Sequence, residues 1–146
     1  MMFSKLARWM VISKAANNNF DRRCVLVVDD SAVDLTLLRK TIEKMGHRVL
    51  SAENGQIGYT LAKLERPDLI FSDWRMPTLD GIGMCKQLKA DEETKNIPVV
   101  FLTSVDTPKA VIDGFEIGAY NYLVKPIKPK LLVSKINSIF KECLAV

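Results

Sequence analysis

Asp73 closes the short apolar run Leu69-Ile-Phe-Ser-Asp and is followed four residues later by Pro77, which places a carboxylate at the end of a strand. In an open α/β sheet, ligands gather just outside the carboxyl ends of the strands, so an acid there is positioned for chemistry rather than for packing. Three further apolar runs end on groups of the same kind: Asp29-Asp30 after the first, Thr103-Ser104 after the fourth and Lys125-Pro126 after the fifth. Three carboxylates in one small pocket repel one another and need a cation. Hard oxygen donors with room for waters suit Mg2+, or Mn2+ in its place. An ammonium and a hydroxyl facing that cation complete a receptor for a phosphoryl group. Each residue taken singly has a plainer role: an acid pair at a helix N-terminus, a strand-end hydroxyl, a solvated lysine. Their coincidence at four ends of one sheet is what points to chemistry.

The rest of the chain reads as the frame that brings these ends together. Cys24–Val28 is a continuous apolar strand, after which Ser31 caps a helix carrying Val33, Leu37, Leu38, Ile42 and Met45 at helical spacing, stopped by Gly46. Residues 48–51 form a second strand and 54–66 a second helix, ended by Pro67. Residues 68–73 are the third strand, with a helix over 79–90 after the Met76-Pro77 break. The fourth strand is 97–102, followed by a helix over about 107–117 with Pro108 in its first turn. The fifth strand is 119–124, and the last helix is Pro129–Cys143, apolar at Leu131, Leu132, Ile136, Ile139 and Phe140. Five strands alternating with five helices require a doubly wound α/β fold, a parallel five-stranded sheet covered on both faces by right-handed crossovers. The near-continuous apolar strands agree with burial on both faces.

Composition limits what the protein does. The 146 residues are 48% apolar and 26% charged, ordinary for one soluble domain, and no apolar run approaches the ~20 residues needed to cross a bilayer. Three cysteines, odd in number and widely spaced, favour free thiols in a reducing cytoplasm over bridges or zinc. Three of the four net positive charges fall on Lys5, Arg8 and Lys14, so the remainder of the chain carries no basic surface for direct nucleic-acid binding. Residues 1–21 are expected to be a basic extension outside the fold. Met2, Leu6, Trp9 and Met10 would share one face if it formed an amphipathic helix, and membrane contact by residues 1–20 is not expected.

The ordered set D-D, D, T-S, K-P across residues 22–144 resembles the receiver domain of two-component response regulators, of which the chemotaxis response regulator is the single-domain type. The resemblance implies a flavodoxin-like (βα)5 sandwich with strand order 2-1-3-4-5 in a receiver domain spanning 22–146. By it, Asp73 is the phosphoacceptor, Asp30 a direct Mg2+ ligand, Asp29 a ligand mostly through water, and the main-chain carbonyl of Arg75 a further metal oxygen. Thr103 and Lys125 would hold phosphoryl oxygens, and Lys125-Pro126 would be a cis peptide. The phosphoryl donor would be the phosphohistidine of a sensor kinase or phosphotransfer protein. Apart from self-phosphorylation and self-dephosphorylation, such a protein is no enzyme.

Thr103 and Tyr122 would form the switch that carries the signal to the face made by the fourth helix, fifth strand and fifth helix, where Lys109, Val111, Tyr122 and Lys128 are placed. A downstream protein or a second copy would bind there. A haloacid dehalogenase-like phosphatase needs a second acid two residues after its nucleophile, and Arg75 stands there instead. A nucleotide-binding domain needs a glycine-rich first turn, which Val28-Asp29-Asp30-Ser31-Ala32 lacks. The chain is read as a stand-alone receiver, the alternative being a module of a larger regulator or hybrid kinase. Arg75 and Val105 differ from the chemotaxis-type residues that tune acyl phosphate lifetime. His47 is expected in a solvated turn, Trp74 as a partly exposed pocket wall, and Phe101, Phe115 and Phe140 in the core.

Overall fold

The computed structural model describes residues 22–76, 78–104 and 108–143, with the side chains of 108–110 excepted. The expected N-terminal extension, Pro77, Val105 and the side chain of Lys109 lie outside the described residues. The elements are β1 (Cys24–Val28), α1 (Ala32–Lys44), β2 (Arg48–Ala52), α2 (Gly55–Glu65), β3 (Leu69–Asp73), α3 (Gly81–Ala90), β4 (Val99–Thr103), α4 (Pro108–Glu116), β5 (Asn121–Val124) and α5 (Pro129–Cys143). All strands are parallel in the order β2-β1-β3-β4-β5.

Alternation along each strand divides the interior in two. Val25, Val27, Leu69, Phe71, Val100 and Leu102 point to one face, where Leu38 and Ile42 of α1 and Leu132, Ile136 and Ile139 of α5 meet them. Leu26, Val28, Ile70, Val99 and Phe101 point to the other, against Ala62 of α2 and Met84, Cys85 and Leu88 of α3. Each fully buried large apolar side chain contributes about 1.5–3 kcal/mol, which holds the strand ends in register. Asp29 follows β1 with its N–H bonded to Ala52 O at 3.0 Å, and Asp73 is paired with Leu102 across β3 and β4. The site is therefore built on the paired ends of buried strands.

Short caps start the helices. Ser31 Oγ accepts the Asp34 N–H, Asn54 Oδ1 the Ile57 N–H and Asp80 Oδ1 the Gly83 N–H. The third helix thus begins at Gly81 rather than at Leu79, because Asp80 is extended and serves as the cap. The fourth strand runs later than the sequence pattern indicates and includes Thr103, while the fifth begins only at Asn121.

Three apolar residues expected inside are exposed. Val33 is 78% exposed because it lies five residues, about 140° round the helix, from buried Leu38. Leu131 and Phe115 each sit one residue, about 100°, away from the buried Leu132 and Gly114. His47 is more than a solvated turn: its Nδ1 accepts the Arg23 N–H at 3.1 Å and its ring meets Phe140 edge-on at 5.2 Å. Among the described residues no helix is long and apolar enough to cross a membrane.

Candidate functional site

Asp29, Asp30 and Asp73 converge at the carboxyl edge of the sheet, with one oxygen from each lying within 4.8 Å of the others. Asp29 is fully buried and its Oδ1 accepts the Ser31 N–H at 2.9 Å, whereas Asp30 is exposed. Asp73 Oδ1 accepts the Trp74 N–H at 2.8 Å, which fixes the carboxylate relative to the loop after β3. Lys125 Nζ reaches this group from the end of β5. It donates to Asp29 Oδ2 at 2.9 Å and to Asp34 Oδ2 at 2.9 Å, and lies 3.6 Å from Asp73 Oδ2. The Lys125-Pro126 bond is cis, as expected. The Lys125 N–H bonds Thr103 O at 2.7 Å, so buried Thr103 stands beside the lysine at the strand ends.

The charges respond to this crowding. Burial first, and the Asp29 charge second, push the Asp73 carboxyl up to about 6, although Lys125 and the Trp74 N–H pull the other way. Burial opposes the charge on Lys125, but the hydrogen bonds to Asp29 and Asp34 outweigh it and hold the ammonium well above its ordinary value. The two shifts are compatible because the lysine's short contacts go to Asp29 and Asp34, leaving Asp73 less well compensated.

Sequence reasoning missed Asp34. Its position in the first turn of α1, four residues after Asp30, was the available signal, since a helix starting at a strand end carries its first turn over that edge. Arg75 is exposed in the loop between β3 and α3. Tyr122 is half-buried and meets Phe115 edge-on at 6.3 Å. Trp74 leans on Phe101 at 4.9 Å and borders, with Thr103, Phe115 and Tyr122, a gap of about 10 Å³. That gap has room for about one water, so a phenol ring enters only if its walls move.

Three carboxylates supply the hard oxygen set that Mg2+ or Mn2+ takes, and the repulsion between buried Asp29 and half-buried Asp73 gives the pocket a reason to bind one. Asp30→Ala is expected to weaken Mg2+ binding by at least the about 10–100-fold that loss of an outer-shell partner costs a metal site. Titration calorimetry giving unchanged affinity would remove Asp30 from the ligand set.

A five-stranded doubly wound sheet with an acid cluster and an ammonium at its carboxyl edge is an α/β domain with a charged pocket suited to a cation and an anionic group. Residues 25–137 match the response regulator receiver domain family, and the chain belongs to it. The chain is 41% identical over 115 residues to Protein PilH of Pseudomonas aeruginosa, covering 79% of this chain and 95% of that protein. It is 34% identical over 120 residues to the phosphate regulon transcriptional regulatory protein PhoB of the same organism, covering 82% of this chain and 52% of PhoB. It thus spans about half of such transcriptional regulators. The solved chemotaxis protein CheY4 of Vibrio cholerae superposes with a TM-score of 0.78 at 30% identity, over 81% of this chain and 98% of that one. The signal receiver domain of a histidine kinase from Syntrophus aciditrophicus superposes with a TM-score of 0.77 at 31% identity, over 85% and 94%. The protein is a phosphoacceptor signalling module of two-component systems, and receiver domains generally bind Mg2+.

Proposed function

We propose that Asp73 is the phosphoacceptor, on the observation that its carboxylate, 17% exposed, stands between Asp29, Asp30 and the Lys125 ammonium at the open edge of the sheet. A carboxylate oxygen of Asp73 attacks phosphorus in line. The bond from phosphorus to the imidazole nitrogen of a phosphohistidine breaks, and the nitrogen keeps the electron pair. Lys125 and Thr103 hold the phosphoryl oxygens. Asp30, Asp73 and the main-chain carbonyl of Arg75 would hold Mg2+ directly and Asp29 mostly through water; the ion would supply positive charge against the transferring group. Water later attacks phosphorus and the carboxylate of Asp73 is restored, so the switch resets itself. The donor is a sensor histidine kinase or a phosphotransfer protein. Exposed Arg75 gives no general acid for leaving-group protonation, which argues against a phosphatase acting on external esters.

The output reading is a shift of Thr103 toward the phosphoryl group that lets Tyr122 turn inward and changes the face of α4, β5 and α5. Ile112 and Phe115 already present apolar surface there, suited to a protein target or a second copy. A bias of about 1–3 kcal/mol toward the inward state changes partner affinity about 5–150-fold.

Incubation with acetyl phosphate and Mg2+, followed by peptide mass spectrometry, is expected to place a single phosphoryl group on Asp73. A label on Asp29 or Asp30 would reject the assignment. Thr103→Ala is expected to keep some phosphorylation while losing the response at the α4-β5-α5 face. The response can be read as dimerisation in analytical ultracentrifugation or as binding of a target; a phosphorylated variant that responds fully would show that the signal takes another path.

A further inference from the structure

Lys125 has a second commitment that the phosphoryl-transfer roles do not use. An ammonium has three N–H donors, and two of them go to Asp29 and Asp34, each at 2.9 Å, while Asp73 is 3.6 Å away. The two partners differ in how they can be released. Asp29 is fully buried and would lose its compensation without gaining water, whereas the Asp34 side chain is 30% exposed and can be rehydrated. Asp34 is also held in place independently of the lysine. It is the third residue of α1, its N–H bonds the capping Ser31 Oγ at 3.3 Å, and its charge suits the positive end of the helix. A carboxylate on an anchored backbone, with a grip on the ammonium that water can replace, is a competitor for that ammonium.

We propose that Asp34 is a positioning residue that acts through Lys125, a latch that detains the ammonium on α1 until a phosphoryl group on Asp73 draws it away. The inference rests on Asp73 as the phosphoacceptor. With Asp73 unmodified, Lys125 stays with Asp29 and Asp34. Once three phosphoryl oxygens stand on Asp73, the lysine exchanges Asp34 for one of them and Asp34 turns to solvent. The exchange makes phosphoryl binding costlier than it would be with a free lysine, and so lowers the population of the activated state at a given supply of donor. Asp34 does not touch the reacting atoms.

The test uses the full chain with beryllofluoride, a phosphoryl mimic, at saturating Mg2+. Asp34→Asn is expected to bind beryllofluoride about three- to tenfold more tightly than wild type, the gain for removing a partly exposed charge competitor. Asp34→Glu, which keeps the charge, is expected to stay within about twofold of wild type and covers the case in which the amide variant folds poorly. Loss of negative charge alone would also tighten anion binding, so a second reading is taken from the 15N-resolved Lys125 ammonium resonance. It is expected to differ between wild type and Asp34→Asn in the unmodified proteins and to coincide once beryllofluoride is bound, because the pair is then broken in both. Resonances that still differ in the bound state, or no gain in affinity for Asp34→Asn, would overturn the latch. If instead Asp73→Asn binds beryllofluoride as wild type does, the phosphoacceptor assignment itself fails, whatever Asp34 does.

Discussion

Asp73→Asn is expected to give a protein that takes no phosphoryl group from acetyl phosphate and that, in EDTA above pH 7, is more stable than wild type by about 1–3 kcal/mol. Loss of the adduct follows from loss of the attacking oxygen anion. The stability gain follows from the raised pKa of the acid. In the folded protein burial and the neighbouring Asp29 lift the Asp73 carboxyl from 3.8 to about 6. A carboxyl raised on folding binds its proton more tightly in the folded than in the unfolded chain. Its contribution is therefore fully present below about pH 4 and is lost as pH rises through about 6. A shift of this size corresponds to at most about 3 kcal/mol, and the partial exposure of Asp73 lowers that figure. The amide carries no charge at any of these pH values. Wild type and variant should thus have similar melting temperatures near pH 4 and separate as pH rises to 7. A difference that does not change with pH would show that Asp73 carries no such penalty. The same experiment in excess Mg2+ should narrow the gap, because the cation stabilises more strongly the protein that keeps the third carboxylate.

Gly81→Ala is expected to destabilise the fold by about 3 kcal/mol or more and to weaken Mg2+ binding at a site the residue does not touch. A Cβ on Gly81 would overlap the Asp73 carbonyl oxygen and would stand 2.9 Å from Ser72 Oγ and 3.1 Å from a ring carbon of Phe101. The nearest of these is backbone, which cannot rotate away as a flexible side chain would. The Gly81 N–H also bonds Trp74 O at 3.2 Å, tying the start of α3 to the loop that follows Asp73. Relief of the clash requires α3 or the end of β3 to move, and Asp73 moves with the latter. For a domain of this size the loss corresponds to a melting temperature lower by about 6–12 °C. A variant that melts within about 2 °C of wild type would mean that the close approach is easily relaxed.

The fold was legible because the apolar runs are continuous and their ends are punctuated by acids, hydroxyls, prolines or glycines. Asp29, Asp30, Asp73, Thr103 and Lys125 were legible for the same reason, each being the last residue of a buried run or within two residues of its end. Asp34 was not, because its role depends on where Lys125 Nζ comes to rest, 91 residues later in the chain. Gly81 looked like a helix residue, since a close backbone approach leaves no trace in periodicity. Phe115 was misplaced for a related reason. Helical spacing marks which residues share a face, but α4 turns Phe115 toward Tyr122 on the outer side. His47 was read as solvated because neither Arg23 nor Phe140 is near it in sequence.

The strand order has a consequence for how the chain assembles. β1 sits between β2 and β3, so every acid of the site is in place once residues up to Asp73 have paired, whereas the balancing ammonium arrives on β5, beyond β4. A partly folded chain that has docked β1, β2 and β3 gathers Asp29, Asp30, Asp34 and Asp73 before Lys125, which pairs with Asp29 and Asp34, has arrived. Docking of the last strand is then drawn by charge as well as by apolar surface. Dissolved Mg2+, by standing in for Lys125, should speed the early steps of refolding and slow the final one.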